Sequence, residues 1–137
     1  MRIMANNANN KIIYPELSYK IVGAAFNIFN ELGYGLSEKL YQIAMGKELH
    51  DLGLNFRREV YAPLNYKGEK LVKGYADFVV EDKILLELKV VSKLGYVHSK
   101  QVLNYLKTTG TKLGILLYFT KDGVKYRRVI NSDIRII

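Results

Sequence analysis

No cysteine occurs in the 137 residues. That excludes a disulfide framework, a thiolate zinc site and a thiol nucleophile. No apolar run approaches the ~20 residues that a membrane-spanning helix needs. The opening stretch, rich in asparagine, has no apolar core of the kind an export signal carries. Residues 1–13 therefore read as a loose polar tail, and a cytoplasmic placement away from membranes is the expectation. No repeat, linker or low-complexity segment divides the rest of the chain. Residues 14–137 are expected to form one domain, a length that suits one core.

What the chain does have is apolar bulk and positive charge. Apolar residues make up 49%, enough for a packed interior. The formal net charge is +8, and it is unevenly placed. Residues 1–54 hold five Lys/Arg and five Asp/Glu, which cancel, whereas residues 55–137 hold sixteen against eight. A one-sided basic field suits a polyanionic partner. It is also compatible with nothing more than a soluble surface.

Pattern and punctuation give the elements. Pro15 suits the first turn of a helix that reaches Leu32, and Gly33 suits its cap. A second helix is expected from Leu36 to Leu52, with Tyr41, Met45, Leu49 and Leu52 on one face. Glu38 lies at the N-terminal end of that stripe. A first strand is expected over Asn55–Tyr66, then a turn at Lys67–Glu69, then strands around Asp77 and Glu87 that complete a three-stranded meander. A helix over Tyr96–Thr109 buries Val102, Leu103 and Leu106, and His98, Gln101 and Tyr105 share another flank. An apolar strand over Lys112–Thr120 turns at Asp122–Gly123 into a last strand over Val124–Ile130. The sum is an α/β (or α+β) domain with a central mixed sheet flanked by helices.

One segment carries chemistry. Two apolar runs, Phe78–Val80 and Ile84–Val91, are joined by three polar residues and read as a hairpin. Within the second, Glu87 and Lys89 share one face, while Leu86, Leu88 and Val90 share the other. An acid and an amine in a greasy strand are costly to bury without partners. Asp77, on the neighbouring strand, supplies a second carboxylate. Two convergent acids are what a hard cation such as Mg²⁺ requires. The plain alternative is an amphipathic strand whose Glu87/Lys89 face is merely wet.

The order helix-Glu, strand-Asp, strand-Glu-x-Lys, helix-Gln resembles the PD-(D/E)xK nuclease superfamily. Gly35, Glu38 and Tyr41 further match the Gly-x-x-Glu-x-x-Tyr signature of a small family within it, the GxxExxY proteins. The resemblance covers roughly residues 14 to 120, with several motifs in register. It implies a restriction-endonuclease-like αβββαβ core and hydrolysis of phosphodiester bonds, DNA being favoured over RNA. It implies Mg²⁺ as cofactor, with Mn²⁺ able to substitute. Asp77 and Glu87 would be metal-binding carboxylates, the Leu88 carbonyl a further ligand, and Lys89 the catalytic lysine. Glu38 would complete the metal shell directly or through water. Gln101 and Tyr105 match a Gln-x-x-x-Tyr helix that approaches the metal site or the strand. Ala76 stands where the superfamily usually has proline before the aspartate.

Each residue also has an ordinary reading. Glu38 suits the first turn of any helix, Gly35 suits a loop, and Tyr41 suits packing. Gln101 and Tyr105 could be an ordinary polar flank, and His98 is a second-tier candidate. Rival functions are an inactive nucleic-acid-binding module and a protein-interaction domain that keeps the fold. No base-reading element is identifiable, and a homodimer is compatible with a domain of this size.

Overall fold

The computed structural model describes residues 13–92 and 97–135. The expected polar tail lies outside the described residues except for Ile13, as does Tyr96 at the expected start of the third helix.

Helix α1 runs Pro15–Leu32 and α2 Glu38–Asp51. They are followed by β1 (Phe56–Tyr61), β2 (Leu64–Tyr66), β3 (Glu69–Val72), β4 (Tyr75–Val80) and β5 (Ile84–Val90). Helix α3 (Val97–Thr109), β6 (Leu113–Thr120) and β7 (Gly123–Ile130) complete the order. Five strands form one sheet in the order β1-β4-β5-β6-β7. Only β5 and β6 run parallel within it, and α3 lies in the connection between them, as a parallel pair requires. This is a mixed α/β architecture with helices on both faces of the sheet.

The faces divide the core. On one, Ile21 and Ala25 of α1 and Tyr41, Met45 and Leu49 of α2 cover Phe78, Leu86, Leu88, Leu117 and Phe119. On the other, Val102 and Leu106 of α3 cover Val79, Leu85, Leu116 and Tyr118. Every residue of β6 is buried, because a central strand covered on both faces has no wet side. Gly114 lets α3 come close: a Cβ there would stand 2.6 Å from Val102 Cγ1. No helix among the described residues is long and apolar enough to cross a membrane.

The expected first strand, Asn55–Tyr66, is in fact two. Proline has no N–H to give a ladder, and β1 stops at Tyr61, short of Pro63. The chain then folds on itself as a separate two-stranded sheet, β2–β3, inserted between β1 and β4. Lys67 and Gly68 turn that hairpin with φ of 50° and 80°, the left-handed values a tight two-residue connection prefers. The meander of three survives as β1-β4-β5, with the hairpin projecting from it.

Candidate active site

The site arises where two ladders give out. The β4–β5 ladder runs from Val80↔Ile84 to Phe78↔Leu86 and stops there. The β5–β6 ladder continues to Val90↔Phe119. The last part of β5 therefore has a free edge toward β4. On the other side of β4, the register steps from Arg58↔Phe78 to Val60↔Ala76, and Glu59 and Asp77 form no ladder pair. Glu59 has φ 50°, a twist that side chains other than glycine adopt at a cost. Alternation slips at this point: Ala76 and Phe78, two residues apart, pack on opposite faces of the sheet.

Side chains fill the gap left by the ladder. The Asp77 N–H donates to Glu87 Oε1 at 3.1 Å. The Leu88 N–H donates to Asp77 Oδ2 at 2.8 Å. Each carboxylate thus takes the place of a backbone acceptor on the facing strand, and the pair is locked reciprocally. Gln42 Nε2 of α2 donates to Asp77 Oδ1 at 3.1 Å. Lys89 Nζ lies 3.5 Å from Glu87 Oε2. Glu87 is only 4% exposed, whereas Asp77 and Lys89 are half-buried.

Electrostatics follow from that burial. Burial, then the nearby Asp77 charge, pushes the Glu87 carboxyl up to about 8, against the Asp77 N–H and Lys89. Asp77 is also raised, by burial first and by the Glu38 charge, with the Leu88 N–H, Lys89 and Gln42 pulling the other way. Two buried neighbouring acids that both favour their protonated forms mark a site that additional positive charge would stabilise.

The Gly-x-x-Glu-x-x-Tyr segment positions Glu38. Gly33 and Gly35 turn the chain out of α1 with φ of 70° and 109°, values that favour glycine. Ser37 caps α2, its hydroxyl accepting from the Leu40 N–H at 3.3 Å. Tyr41 is fully buried, stacked on Phe119 at 4.2 Å between ring centroids, and its hydroxyl donates to the Gly33 carbonyl. Turn, cap and pin leave Glu38 as the first residue of α2, near enough for its charge to reach Asp77 and His98. Among the described residues, no three His, Asp or Glu side chains gather as a ready cluster for a metal ion.

Helix α3 contributes from the other side. Tyr105 is raised by burial and then by the Glu87 and Asp77 charges, which places its phenol within their field. Gln101, one turn earlier, is exposed on a groove wall beside Lys100 and Asn104. The His98 ring lies 5.8 Å from that of Tyr118. Its Nδ1 is buried with no hydrogen-bond partner among the described residues. Burial and then Lys89 lower its pKa, which favours the neutral ring.

Sequence reading did not single out Gln42. The signal was available: it stands four residues after Glu38, on the same side of α2. The kink at Glu59 gave no comparable signal, because it depends on pairing across strands.

The arrangement can fix two carboxylates, a lysine and a backbone carbonyl around a small volume. The donor set suits a divalent cation bound through oxygen: Asp77, Glu87 and the Leu88 carbonyl would hold it, with Glu38 in reach of its waters. Fold and site together define a restriction-endonuclease-like α/β domain with an acid-acid-lysine centre at the split of a mixed sheet.

The chain belongs to the PD-(D/E)XK nuclease superfamily, whose family model matches residues 15–129. Solved structures share the fold. SSO0001 superposes with a TM-score of 0.56 at 23% identity, over 85% of this chain and 57% of its own. This chain thus spans little more than half the length of that relative. An alkaline exonuclease from Laribacter hongkongensis superposes with a TM-score of 0.52 at 12% identity, over 90% of this chain and 73% of its own. No curated protein matches the sequence.

Proposed function

We propose that the protein is a divalent-metal-dependent nuclease that hydrolyses phosphodiester bonds, with Mg²⁺ as its usual ion and DNA as its substrate. The observation that carries this reading is the reciprocal lock of Asp77 and Glu87 with Lys89 at 3.5 Å. An acid pair buried to this degree is stable in its ionised form only with a cation beside it. When bound, the ion lowers the pKa of its water and polarises a phosphoryl oxygen.

The chain's own groups do the rest. Gln42 and the Leu88 N–H fix the Asp77 carboxylate, and the Asp77 N–H fixes that of Glu87. The Lys89 ammonium orients the attacking water and meets the charge that develops on the phosphate. Glu38 adds a further carboxylate at the α2 tip. Tyr105 and Gln101 steer the strand from α3. The basic half of the chain raises the local concentration of polyanion. The Gly35–Glu38–Tyr41 segment supports assignment to the GxxExxY branch, acting as one cytoplasmic domain over residues 14–137.

The test is cleavage of labelled single- and double-stranded DNA and RNA with Mg²⁺, Mn²⁺ or EDTA. Chelation, Asp77→Ala and Lys89→Ala should each abolish cleavage, while Asp77→Ala still binds. Cleavage that persists in Asp77→Ala would overturn the assignment. Binding without turnover in the parent protein would favour an inert module instead.

A further inference from the structure

Among the described residues the β2–β3 hairpin pairs only with itself, and every one of its strand residues is exposed. Among the described residues, six of the sixteen exposed large hydrophobic side chains lie within residues 61–75. Those six are Tyr61, Leu64, Tyr66, Leu71, Val72 and Tyr75. The same stretch carries Lys67, Lys70 and Lys73 against one acid, Glu69. Apolar surface this concentrated on a projecting element marks a place where something binds.

Between the hairpin and α3 lies a groove of about 350 Å³. Leu64 and Val72 of the hairpin and Val97 of α3 give it an apolar lining. Lys73 stands on one side, Lys100 on the other, and Tyr105 is part of its wall. Gly74, which lines the groove, lies three residues before Asp77 at the entry to β4, so the groove leads toward the acid pair, whose charges also reach the Tyr105 phenol. Its position is held by close packing at Gly74, where a Cβ would stand 2.5 Å from the Ala62 carbonyl oxygen and 3.0 Å from Tyr105 Cε1. The Ala62 N–H donates to the Gly74 carbonyl at 2.7 Å across the same neck.

We propose that this groove binds single-stranded nucleic acid and delivers the strand to the acid pair. The delivery half of the claim rests on the nuclease reading; the binding half stands without it. An apolar lining flanked by ammonium groups offers one surface to a base and the other to its phosphate. The hairpin and the end of β1 repeat the pairing: Lys67 Nζ lies 5.4 Å from the Tyr66 ring centroid and Lys70 Nζ 5.9 Å from that of Tyr61. Ring faces of this kind stack on unpaired bases, which a duplex keeps inside its own stack. A volume of about 350 Å³ suits an unstacked base. An apolar protein partner would cover Lys73 and Lys100 without countercharge, whereas a strand brings a phosphate to each.

The test uses the full chain carrying Asp77→Asn, in EDTA, so that binding is read without cleavage. Fluorescence anisotropy follows labelled oligo-dT, oligo-rU and a blunt duplex of equal length. Val72→Asp should weaken single-strand binding about tenfold or more. Lys73→Ala with Lys100→Ala should reduce the salt slope by about 0.7 per lysine. All three side chains are exposed, so circular dichroism and the melting temperature should stay at the parent's values. Equal losses on both oligonucleotides assign the site to the backbone and base faces they share, and a loss on one alone names that nucleic acid as its ligand.

Unchanged single-strand affinity in the variants, or equal losses on duplex and single strand, would overturn the proposal. A second readout separates it from the nuclease reading. With Mg²⁺ and an intact Asp77, groove variants should raise KM more than they lower kcat. If the parent cleaves and the variants bind and cleave like it, the groove falls and the nuclease stands. If the parent never cleaves but the variants lose the strand, the nuclease falls and the groove stands.

Discussion

Strands β5 and β6 lie side by side in parallel register, yet one carries an acid and a lysine and the other no charged residue. Glu87 sits opposite Leu116, and Lys89 opposite Tyr118. Both strands are central and covered by helices on both faces. The difference lies at their far edges. Strand β6 pairs with β7 along its whole length, from Leu113↔Ile130 to Thr120↔Gly123. Strand β5 loses β4 after Leu86, and the unmet hydrogen-bonding groups of that gap are taken up by Asp77 and Glu87. A buried acid is tolerated where the ladder is open, because backbone N–H groups are free to solvate it. The same acid placed in β6 would find every such donor already taken.

The widest separation between the strands should appear on substitution. Asp77→Asn should drive cleavage below detection. Lys89→Ala should do the same, through a fall in kcat of at least about 10²–10³, the scale of losing one preorganised charge at a reacting phosphate. Both should leave the fold intact by circular dichroism. Leu116→Ala, directly opposite Glu87, should do the reverse. It should cost about 2–5 kcal/mol of stability through a buried cavity while activity per folded molecule persists. Denaturant titration beside a nuclease assay reads both. A Lys89→Ala that unfolds the chain, or a Leu116→Ala that silences a folded one, would break the contrast.

Gln42→Ala sharpens it at smaller scale. It strips one of the two donors that Asp77 has among the described residues. The metal concentration for half-maximal cleavage should rise about 10–100-fold, as is typical when a partner that orients a ligand is removed. An unchanged metal requirement would show that the Leu88 N–H alone holds the carboxylate.

The contrast also measures what the sequence could convey. The Glu87-x-Lys89 spacing was legible, because a strand's period of two places both side chains on one face. The buried run of β6 was legible for another reason: an unbroken apolar run marks a strand covered on both faces. So were the turn at Lys67–Gly68 and the cap at Gly33, which depend on local backbone preference. The break at Pro63 is written in the chain but masked, since an apolar run continues on either side of it. The reciprocal lock of Asp77 and Glu87 was not legible. It depends on where one ladder stops, and neither strand's own sequence marks that point. Gln42 reaches Asp77 across 35 positions of sequence; its place one turn after Glu38 pointed to the site, but not to the carboxylate it holds.

The smallest effect concerns protons. The Glu87 carboxyl lies at about 8 when folded, above its ordinary 4.5. Between those values the folded chain keeps a proton that the unfolded chain releases, so rising pH favours unfolding. Stability from this group is fully present below about pH 4.5 and is lost as pH climbs through about 8. In EDTA the melting temperature should therefore decline across that window, over and above the trend shared by all variants. Glu87→Gln carries no such proton and should flatten the decline. Saturating Mg²⁺ should flatten it too in the parent, since an ion that binds the ionised pair rewards the loss of the proton, with the largest gain at the alkaline end. A Glu87→Gln variant that declines as steeply as the parent would move the titration elsewhere. It would also remove the claim that the open edge of β5 is short of positive charge.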